Sequence, residues 1–593
     1  MTSKTFCCNG TLLGKTMKRF WPLWLGYLFV WLLMLPLMLH LSLSSFYSDV
    51  DYTIRVQDSI YTLLCYGAPI LVFLMAPLAA TAVFSYLYNT KRAGVFASLP
   101  IRREGAFLSL TLAGLIPMLS AHVLTAAVSA LVELAYGFID WASLLTFLGI
   151  TTLYTLNFYG FAVLCAQLTG HLMIAPTVYA VLSFTAPAIE FLCSGLASTF
   201  IYGYQMHPFE ISTYLSPIVA IMRFSGVEPV ESKDAISAWV YHGWQINAIY
   251  GAIGAVLIGL ALLLYRKRRM ESAGDVVAVK PLKKVFAVML GGGCGLALGA
   301  LLAAIFSATN ATGDSFAAVS IGMALGCWIG YFGAEMLMRK TFRVFGETWR
   351  GFAILLAVLA LFLCTLRFDL LGWERNLPQP ENVESVVIAC NGIDMELSDT
   401  ENVEAVLRLN KDVVAHRAGE DEYSTYLRVD YTLRNGAHYL RVYDRVPSFE
   451  TNADGKRITE EANAIFNSPE AIAVRFPTDV THTQFHYTSA DYSIGDYYQS
   501  IEITPEEAYE WYVTCILPDV ADGTLGRVDV SDTSFSGVYC YLEIYDDLTP
   551  AATGAFAYTR ENYTQVLIAP TRESVRTTAW LIEHGLPEAA IQQ

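Results

Sequence analysis

Four polar side chains interrupt long apolar stretches of this 593-residue sequence, and they are the first candidates for chemistry. His122, Glu133 and Glu190 are ionisable, and Asn157 is a polar, uncharged companion. An ionisable group inside hydrocarbon costs free energy unless it is paired or reached by water, so such groups often mark a substrate path. Two interpretations stay open: a polar lining of a path through a membrane, or local hydrogen bonding and snorkelling towards the headgroups.

The sequence contains no recognisable catalytic motif. It has neither the His-Glu-x-x-His motif of zinc proteases nor the Gly-x-Ser-x-Gly motif of serine hydrolases. Residues 10–16 imitate a phosphate-binding loop, but that loop needs four residues between its glycines, and Gly10 and Gly14 enclose fewer. The 11 cysteines lack the Cys-x-x-Cys and Cys/His spacings of zinc sites. We therefore expect a chain that is not an enzyme and binds no metal ion or cofactor of its own.

About nine apolar stretches in residues 20–370 position these side chains, and each is long enough for a helix to cross a bilayer, which takes roughly 20 residues. Their centres lie near Leu28, Phe73, Ala121, Tyr154, Leu182, Val256, Ala297, Leu325 and Val358. The sequence therefore predicts an all-α polytopic membrane bundle, with the lipid bilayer as its surroundings.

Basic residues mark one side of this bundle. With the N-terminus in the cytoplasm, loops on that side hold about 19 Lys and Arg residues and the outer loops about four, as the positive-inside rule requires. An odd number of crossings of the cell membrane then places residues 371–593 outside. That region is acidic, with about 37 Asp and Glu residues against about 15 Lys and Arg residues, so we expect no nucleic-acid partner.

The composition divides the chain into four parts. Residues 1–19 are a basic, partly apolar segment suited to the cytoplasmic membrane surface. Residues 20–270 hold a six-span core, residues 271–370 three additional spans, and residues 371–593 an α+β extracytoplasmic domain. Between the fifth and sixth spans, the apolar segment 200–245 predicts a helix that enters the outer leaflet and returns.

Glycines at every fourth position favour close helix packing in the seventh and eighth spans. The alternative is a helix seam that moves during transport. The glycines are Gly291, Gly295 and Gly299 in one span and Gly322, Gly326 and Gly330 in the next.

Turn and capping signals predict the elements of the C-terminal domain. Asn435 and Gly436 tolerate positive φ, so they predict a β-hairpin between residues 423–433 and 438–446. Thr504 and Glu507 predict a capping box at a helix start. Helices are also expected at 403–416 and 573–584, and strands at 538–545 and 566–568. The order of helix, paired strands and helix occurs twice, so an internal duplication is one alternative.

Two alternatives stay open for Cys515 and Cys540 in this domain: they form a disulfide, or they stay separate buried thiols.

Residues 93–105 have the sequence Ala-Gly-Val-Phe-Ala-Ser-Leu-Pro-Ile-Arg-Arg-Glu-Gly. This segment resembles the inner loop before the third span in permease subunits of the second, six-span class of ATP-binding-cassette exporters. Residues 266–274, which contain Arg-x-x-Glu-Ser-Ala-Gly, are similar to the run after the sixth span in bacterial members. The resemblance covers residues 10–285, and it leaves the three additional spans and the C-terminal domain unexplained.

The resemblance implies a non-catalytic transport subunit that works with a separate ATP-binding-cassette subunit, which would hold ATP and Mg. It also implies a second permease chain, identical or different. The coupling loop would be Leu99, Pro100, Ile101, Arg102, Arg103 and Glu104. Its apolar side chains suit a notch on the partner, and its charged ones suit ion pairs. The alternative is that Arg102 and Arg103 merely anchor the end of the third span.

The function that this resemblance implies is export of a hydrophobic or amphipathic substrate, such as a lipid, peptide or antibiotic. The bundle lacks the ring of charges that suits ions, which agrees with such a substrate. The alternative is a membrane sensor or scaffold whose outer domain binds a peptide or cell-envelope ligand without transport.

The topology makes a direct prediction. Protease added to intact cells should remove the region after Trp373, because nine crossings from a cytoplasmic N-terminus place it outside. Immunoblotting with tags at each end of the chain measures this. Digestion of that region only after the membrane is permeabilised would contradict the predicted orientation.

Overall fold

A computed structural model of the chain describes residues 8–44, 51–98, 100–205, 212–232, 235–268, 280–308, 315–390, 393–416, 425–446, 453–480, 483–494, 497–530, 538–546 and 563–591. The chain forms two compact units. The first comprises Met1–Gly195, His207–Ala308 and Ser315–Leu361, and the second includes Leu196–Met206 and Phe362–Gln593.

Nine helices among the described residues are long and apolar enough to cross a membrane. Spans 1 to 9 are, in order, Trp21–Ser44, Tyr52–Val83, Arg103–Ala135, Trp141–Leu168, Ile174–Phe200, Trp244–Lys267, Lys283–Phe306, Phe316–Arg339 and Phe345–Arg367. Each predicted apolar stretch has its centre in one of these helices, so the predicted multi-pass helical bundle is confirmed. Helices suit lipid because they satisfy their own backbone hydrogen bonds.

Spans 1 to 6 share one apolar core, which includes Trp31, Phe107 and Tyr265. The backbones of spans 4 and 6 touch within this core. A Cβ on Gly254 would lie 2.2 Å from the carbonyl oxygen of Leu156, so only glycine permits this approach.

Two short helices accompany the first spans. Helix α1 (Gly10–Arg19) begins with an Asn9 cap, and the Asn9 N–H donates to the Ser109 hydroxyl of span 3 at 2.7 Å. Helix α2 (Thr90–Ala97) lies in the connection between spans 2 and 3. The basic residues Lys18 and Arg19 occupy the last turn of α1, where the helix dipole favours positive charge.

The connection between spans 5 and 6 differs in part from the prediction. Helix α3 (Pro217–Phe224) buries Ile218 and Ile221 in the core, as an inserted helix should. The chain then continues in an antiparallel hairpin of β1 (Gly226–Ser232) and β2 (Ala235–His242), not in a second helical segment. Alternating branched and aromatic residues in β2 explain the strand, because such residues suit a pleated surface.

The glycine series in spans 7 and 8 lies at their mutual contact. A Cβ on Gly326 would lie 2.3 Å from the Cys294 carbonyl oxygen, and one on Gly330 would lie 2.5 Å from the Leu290 carbonyl oxygen. The two backbones therefore touch where the glycines are, which favours the close-packing interpretation.

The first half of the C-terminal domain consists of β3 (Val383–Cys390), β4 (Ile393–Leu397), α4 (Thr400–Ala415), β5 (Thr425–Leu433), β6 (His438–Val446), α5 (Ala453–Phe466) and α6 (Pro469–Arg475). Its antiparallel sheet has the order β4-β3-β5-β6. The predicted hairpin is confirmed, with Gly436 at φ +79 in its turn.

The second half repeats this plan with β7 (Thr483–Ile494), β8 (Tyr497–Ile503), α7 (Pro505–Trp511), α8 (Leu517–Ala521), β9 (Val538–Asp546), β10 (Tyr563–Ile568) and α9 (Val575–Glu583). Its sheet has the order β10-β9-β7-β8, the same as the first when read from the other edge. The predicted α+β architecture and the capping box of Thr504 and Glu507 are confirmed. The shared order of strands and helices favours the duplication hypothesis. Each observed repeat starts with two strands that precede the first helix of the predicted repeat.

The edge strand β6 is partly covered by residues that follow span 5. The Val442 N–H donates to the Gly203 carbonyl at 3.2 Å, and the Tyr202 N–H donates to Glu374 at 2.7 Å. The rings of Tyr202 and Tyr443 lie 5.0 Å apart. Gly203 has φ +77, and a Cβ there would lie 2.4 Å from the Tyr443 ring, so glycine is required.

Cys515 and Cys540 are free thiols, so the disulfide alternative is wrong. Cys540 is buried in the second core and Cys515 packs against that core. Burial raises the pKa of the Cys540 thiol well above its usual value, which leaves it unreactive.

One carboxylate holds two helix starts together in the first half. Glu470 in α6 accepts hydrogen bonds from the Ser398 and Asp399 amides at 2.6 and 2.9 Å and from Asn402 Nδ2 at 2.6 Å. Burial alone would raise the pKa of Glu470, but the hydrogen bonds from Asn402, Ser398 and Asp399 outweigh it and lower that pKa. Because the folded pKa is lowered, the stabilisation is present above the unfolded pKa and is lost as pH falls through the folded value.

Glu470→Gln should therefore loosen the start of α4. We expect hydrogen exchange of the Ser398 and Asp399 amides to be about three to ten times faster at pH 7, an effect of about 1 kcal/mol. The difference from the wild type should shrink as the pH falls through the lowered pKa of Glu470, because the carboxylate then becomes protonated. Glu401→Gln, the same change at an exposed position in α4, is the control. Equal effects of the two variants would contradict this role of Glu470.

Candidate functional site

The loop between spans 2 and 3 begins with a capped helix. Asn89 Oδ1 accepts hydrogen bonds from the Lys91 and Arg92 amides at 3.0 and 3.3 Å, which starts α2. The side chains of Lys91, Arg92 and Val95 are exposed, and Val95 is 68% accessible. The helix therefore presents basic and apolar groups at its surface.

Aromatic contacts fix α2 to the core. The Phe96 ring stacks on the Tyr86 ring with centroids 3.9 Å apart. The Tyr86 hydroxyl lies 2.7 Å from that of Tyr265 near the end of span 6. Burial raises the pKa of Tyr86, so its hydroxyl stays protonated and available as a donor. The loop is thus joined to span 6 through two rings in series.

Within the predicted coupling loop, Arg103 and Glu104 have partners in their own chain. Arg103 Nη1 donates to the carbonyls of Arg266 and Arg268 at 3.1 and 3.4 Å. Glu104 forms an ion pair with the side chain of Arg266. These contacts tie the start of span 3 to the end of span 6, as the anchoring alternative predicted for Arg103.

The remaining loop residues differ from these two. Pro100 and Arg102 are exposed, and Ile101 is half-buried. The Arg102 carbonyl accepts the Ala106 N–H at 3.0 Å, but its guanidinium has no ion-pair or hydrogen-bond partner among the described residues. Leu99 lies outside the described residues. The surface that the loop offers to another molecule is therefore formed by α2, Pro100 and Arg102.

Arg268 is a buried charged residue that the sequence did not single out. It is 8% exposed, and its guanidinium donates to the carbonyls of Ala166, Gln167 and Thr169 at 3.1, 3.0 and 2.8 Å. These carbonyls end span 4 and lack helical donors, so a cation there also complements the helix dipole. Burial lowers the pKa of Arg268, but an arginine remains charged.

The ends of spans 2, 4 and 6 and the start of span 3 therefore meet at one end of the core, the basic end. Tyr86 contacts span 6 itself, and Arg103 contacts the end of span 6. Arg268, which follows span 6, contacts the end of span 4. A pull on α2 would be transmitted through these contacts to several spans.

The four predicted path residues differ in their local partners. His122 Nε2 lies 2.8 Å from the Tyr27 hydroxyl, and its ring packs edge-on against Trp31. Glu133 is fully buried and accepts a hydrogen bond from the Asp140 amide at 2.8 Å, at the turn between spans 3 and 4. Each of these two residues therefore has one local hydrogen bond, while His122 Nδ1 and Glu133 Oε1 have no partner among the described residues.

The other two path candidates differ from each other. Glu190 accepts a hydrogen bond from the Ser212 amide at 2.7 Å, which joins span 5 to the segment before α3. Asn157 is 1% exposed, and neither atom of its amide has a hydrogen-bond partner in the described part of the chain. Asn157 alone has unused hydrogen-bonding capacity at both amide atoms, so it remains the best candidate for contact with a polar group of a substrate.

Sequence analysis also missed a cluster of neutral polar groups at the opposite end of the core. The hydroxyls of Tyr154 in span 4 and Tyr241 in β2 lie 3.2 Å apart. Nothing in the sequence distinguishes these two residues from the many other tyrosines. In the described residues, no group of three His, Cys, Asp or Glu side chains could hold a metal ion.

No protein family, curated protein or solved structure was found to match this chain.

Replacing Arg268 should weaken the basic end. We expect Arg268→Ala to destabilise the protein by about 2–4 kcal/mol, because it leaves buried carbonyls without donors. The measurements are thermal unfolding in detergent and hydrogen exchange at the end of span 4. Arg268→Lys should recover part of the loss, since an ammonium group reaches fewer carbonyls. Lys267→Ala, at the exposed neighbouring position, is the control, and an equal effect there would contradict the assignment.

Proposed function

We propose that this chain is the permease subunit of an ATP-driven exporter. The single observation that carries the proposal is the loop between spans 2 and 3. It is anchored to span 6 through Phe96, Tyr86 and Arg103, yet it leaves Val95 and Arg102 exposed. Such a loop can receive a partner and transmit its movement to the spans.

The partner that fits this surface is a separate ATP-binding-cassette subunit, which would bind ATP and Mg and supply the energy. Closure of two such subunits would pull on α2 and change the packing of spans 2, 3 and 6. This chain would be a non-catalytic subunit in the cell membrane, paired with a second permease chain. The substrate would be hydrophobic or amphipathic, in agreement with the apolar core that spans 1 to 6 share.

The proposed orientation places the basic end and the N-terminus in the cytoplasm and the C-terminal domain outside. The support is the charge distribution, since Lys and Arg are retained on the cytoplasmic side of membranes. Exposed Lys91, Arg92 and Arg102 at the basic end are the residues that this rule concerns.

The second candidate function is a sensor without transport. It is favoured by a cavity of about 680 Å³ in the C-terminal domain, between α4, α5 and α6. Asn402, Arg408 and Glu461 are among its lining residues, so it offers both hydrogen-bond donors and acceptors. In a sensor, this domain would bind a peptide or cell-envelope ligand, and no ATPase would accompany the chain.

Co-purification tests the proposal. The full chain, isolated in mild detergent, should bring down a subunit that binds and hydrolyses ATP. Arg102→Glu should lower the amount of that subunit that co-purifies at least about tenfold. The substitution reverses an exposed charge at the docking surface, where like charges repel. Lys284→Glu makes the same charge change in span 7, away from the loop, and should retain it.

The variant Arg103→Gln separates binding of the ATPase subunit from transmission of its movement to span 6. It removes the guanidinium that donates to the end of span 6 while leaving Arg102 in place. We expect the ATPase subunit to stay bound but its stimulation by the permease to fall. An ATPase that remains bound after Arg102→Glu would refute this docking surface, and its absence from the wild-type preparation would favour the sensor.

A further inference from the structure

At the end of the six-span core opposite to the basic end, one backbone carbonyl has no donor on its own helix. Span 2 contains a π-helical turn, Leu63–Gly67, in which the Ala68 N–H donates to the Leu63 carbonyl. The next residue is Pro69, which has no N–H. The Leu64 carbonyl is therefore available, and it accepts a hydrogen bond from the Tyr154 hydroxyl of span 4 at 2.9 Å.

A chain of neutral hydrogen bonds continues from Tyr154. Its hydroxyl lies 3.2 Å from that of Tyr241 in β2. The Tyr241 hydroxyl has one proton, which it can donate to Tyr154 or to Ser225 Oγ, each 3.2 Å away, and it accepts a hydrogen bond from Asn247 Nδ2 at 2.8 Å. Ser225 ends α3, and Asn247 lies in the first turn of span 6.

These groups are shielded from solvent. The exposed fractions are 0% for Tyr154, 6% for Tyr241, 5% for Ser225 and 1% for Asn247. Asn247 Oδ1 has no hydrogen-bond partner in the described part of the chain, so the network is not saturated. It contains no charged side chain.

Gly243 makes the arrangement possible. It has φ +139, and a Cβ there would lie 2.8 Å from Ser225 Oγ and 3.1 Å from the Tyr241 hydroxyl. Any side chain at this position would enter the network. The turn between β2 and span 6 is therefore shaped so that Ser225, Tyr241 and Asn247 meet.

We propose that Tyr154, Tyr241, Ser225, Asn247 and the Leu64 carbonyl form a latch that holds this end of the core closed and opens when a substrate leaves. The inference rests on the proposed transport function and deepens it. Spans 2, 4 and 6, helix α3 and strand β2 all contribute a member, so they cannot separate while the latch is formed.

The chemistry of the latch suits reversible opening. Each neutral hydrogen bond contributes little net free energy, because water can replace either partner. While the site is dry, leaving these groups unpaired would cost more, because each would lose its partner without gaining water. The latch is therefore stable when closed and dry, and also when open and wetted, whereas a dry intermediate is disfavoured.

Cys65 is a natural reporter of this opening. It directly follows Leu64, and its side chain is 1% exposed. Cys165 has the same 1% exposure but lies in span 4 beside Ala166, at the basic end. Labelling of Cys65 without labelling of Cys165 would identify an opening of the latch end alone.

The experiment uses the full chain in lipid nanodiscs, a charged water-soluble maleimide and mass spectrometry of each cysteine peptide. Tyr241→Phe removes the hydroxyl that joins three partners but keeps the ring. We expect the labelling rate of Cys65 to rise at least about fivefold, with the rate at Cys165 unchanged. Tyr154→Phe should act in the same direction, and the double variant should add little to the larger single effect.

Tyr86→Phe is the matched control, because it also removes one hydroxyl from a buried tyrosine pair, at the basic end. It should leave the labelling rate of Cys65 at the wild-type value. The latch is overturned if neither Tyr241→Phe nor Tyr154→Phe raises labelling of Cys65, or if Cys65 and Cys165 respond together. Cysteine labelling needs no ATPase. A failed co-purification would therefore overturn the exporter proposal, while the labelling rates would still test the latch.

Discussion

A polar group buried between membrane-crossing helices costs free energy unless it finds a partner inside the protein, because hydrocarbon offers none. Three contacts in the six-span core follow from this constraint. Arg268 satisfies the carbonyls at the end of span 4, Tyr154 satisfies the Leu64 carbonyl, and Tyr27 pairs with His122. Each contact joins two or more spans, so the same requirement that makes the backbone soluble in lipid also decides which helices move together.

The two ends of the core meet this requirement with different chemistry. At the basic end, a guanidinium makes several charge-assisted hydrogen bonds to backbone carbonyls, which are about twice as strong as neutral ones. At the other end, hydroxyl and amide groups make neutral hydrogen bonds that water can replace. The proposed permease function would use this asymmetry, because the first end would transmit movement and the second would open.

Much of the fold could be predicted because its signals are local. Apolar length alone predicts the nine spans, and Asn435-Gly436 and Thr504 predict a hairpin turn and a helix start from a few neighbouring residues. The strand β2 was missed because its apolar residues also suit a membrane-inserted helix, and a short apolar run does not distinguish the two. The repeat in the C-terminal domain was seen only in part, because β4 is five residues long and gives little alternation.

Partners of buried polar groups could not be predicted, because they depend on contacts between distant parts of the chain. Arg266, Lys267 and Arg268 are consecutive basic residues, yet only Arg268 is buried against span 4. Arg102 and Arg103 are likewise adjacent, but the first is exposed and the second bonds to the end of span 6. Arg102 has extended backbone as the N-cap of span 3, whereas Arg103 begins the helix, so two arginines in one motif face different surroundings. Both are exposed, but Arg103 is held by the end of span 6, whereas the Arg102 side chain is left for the surface that a partner would meet.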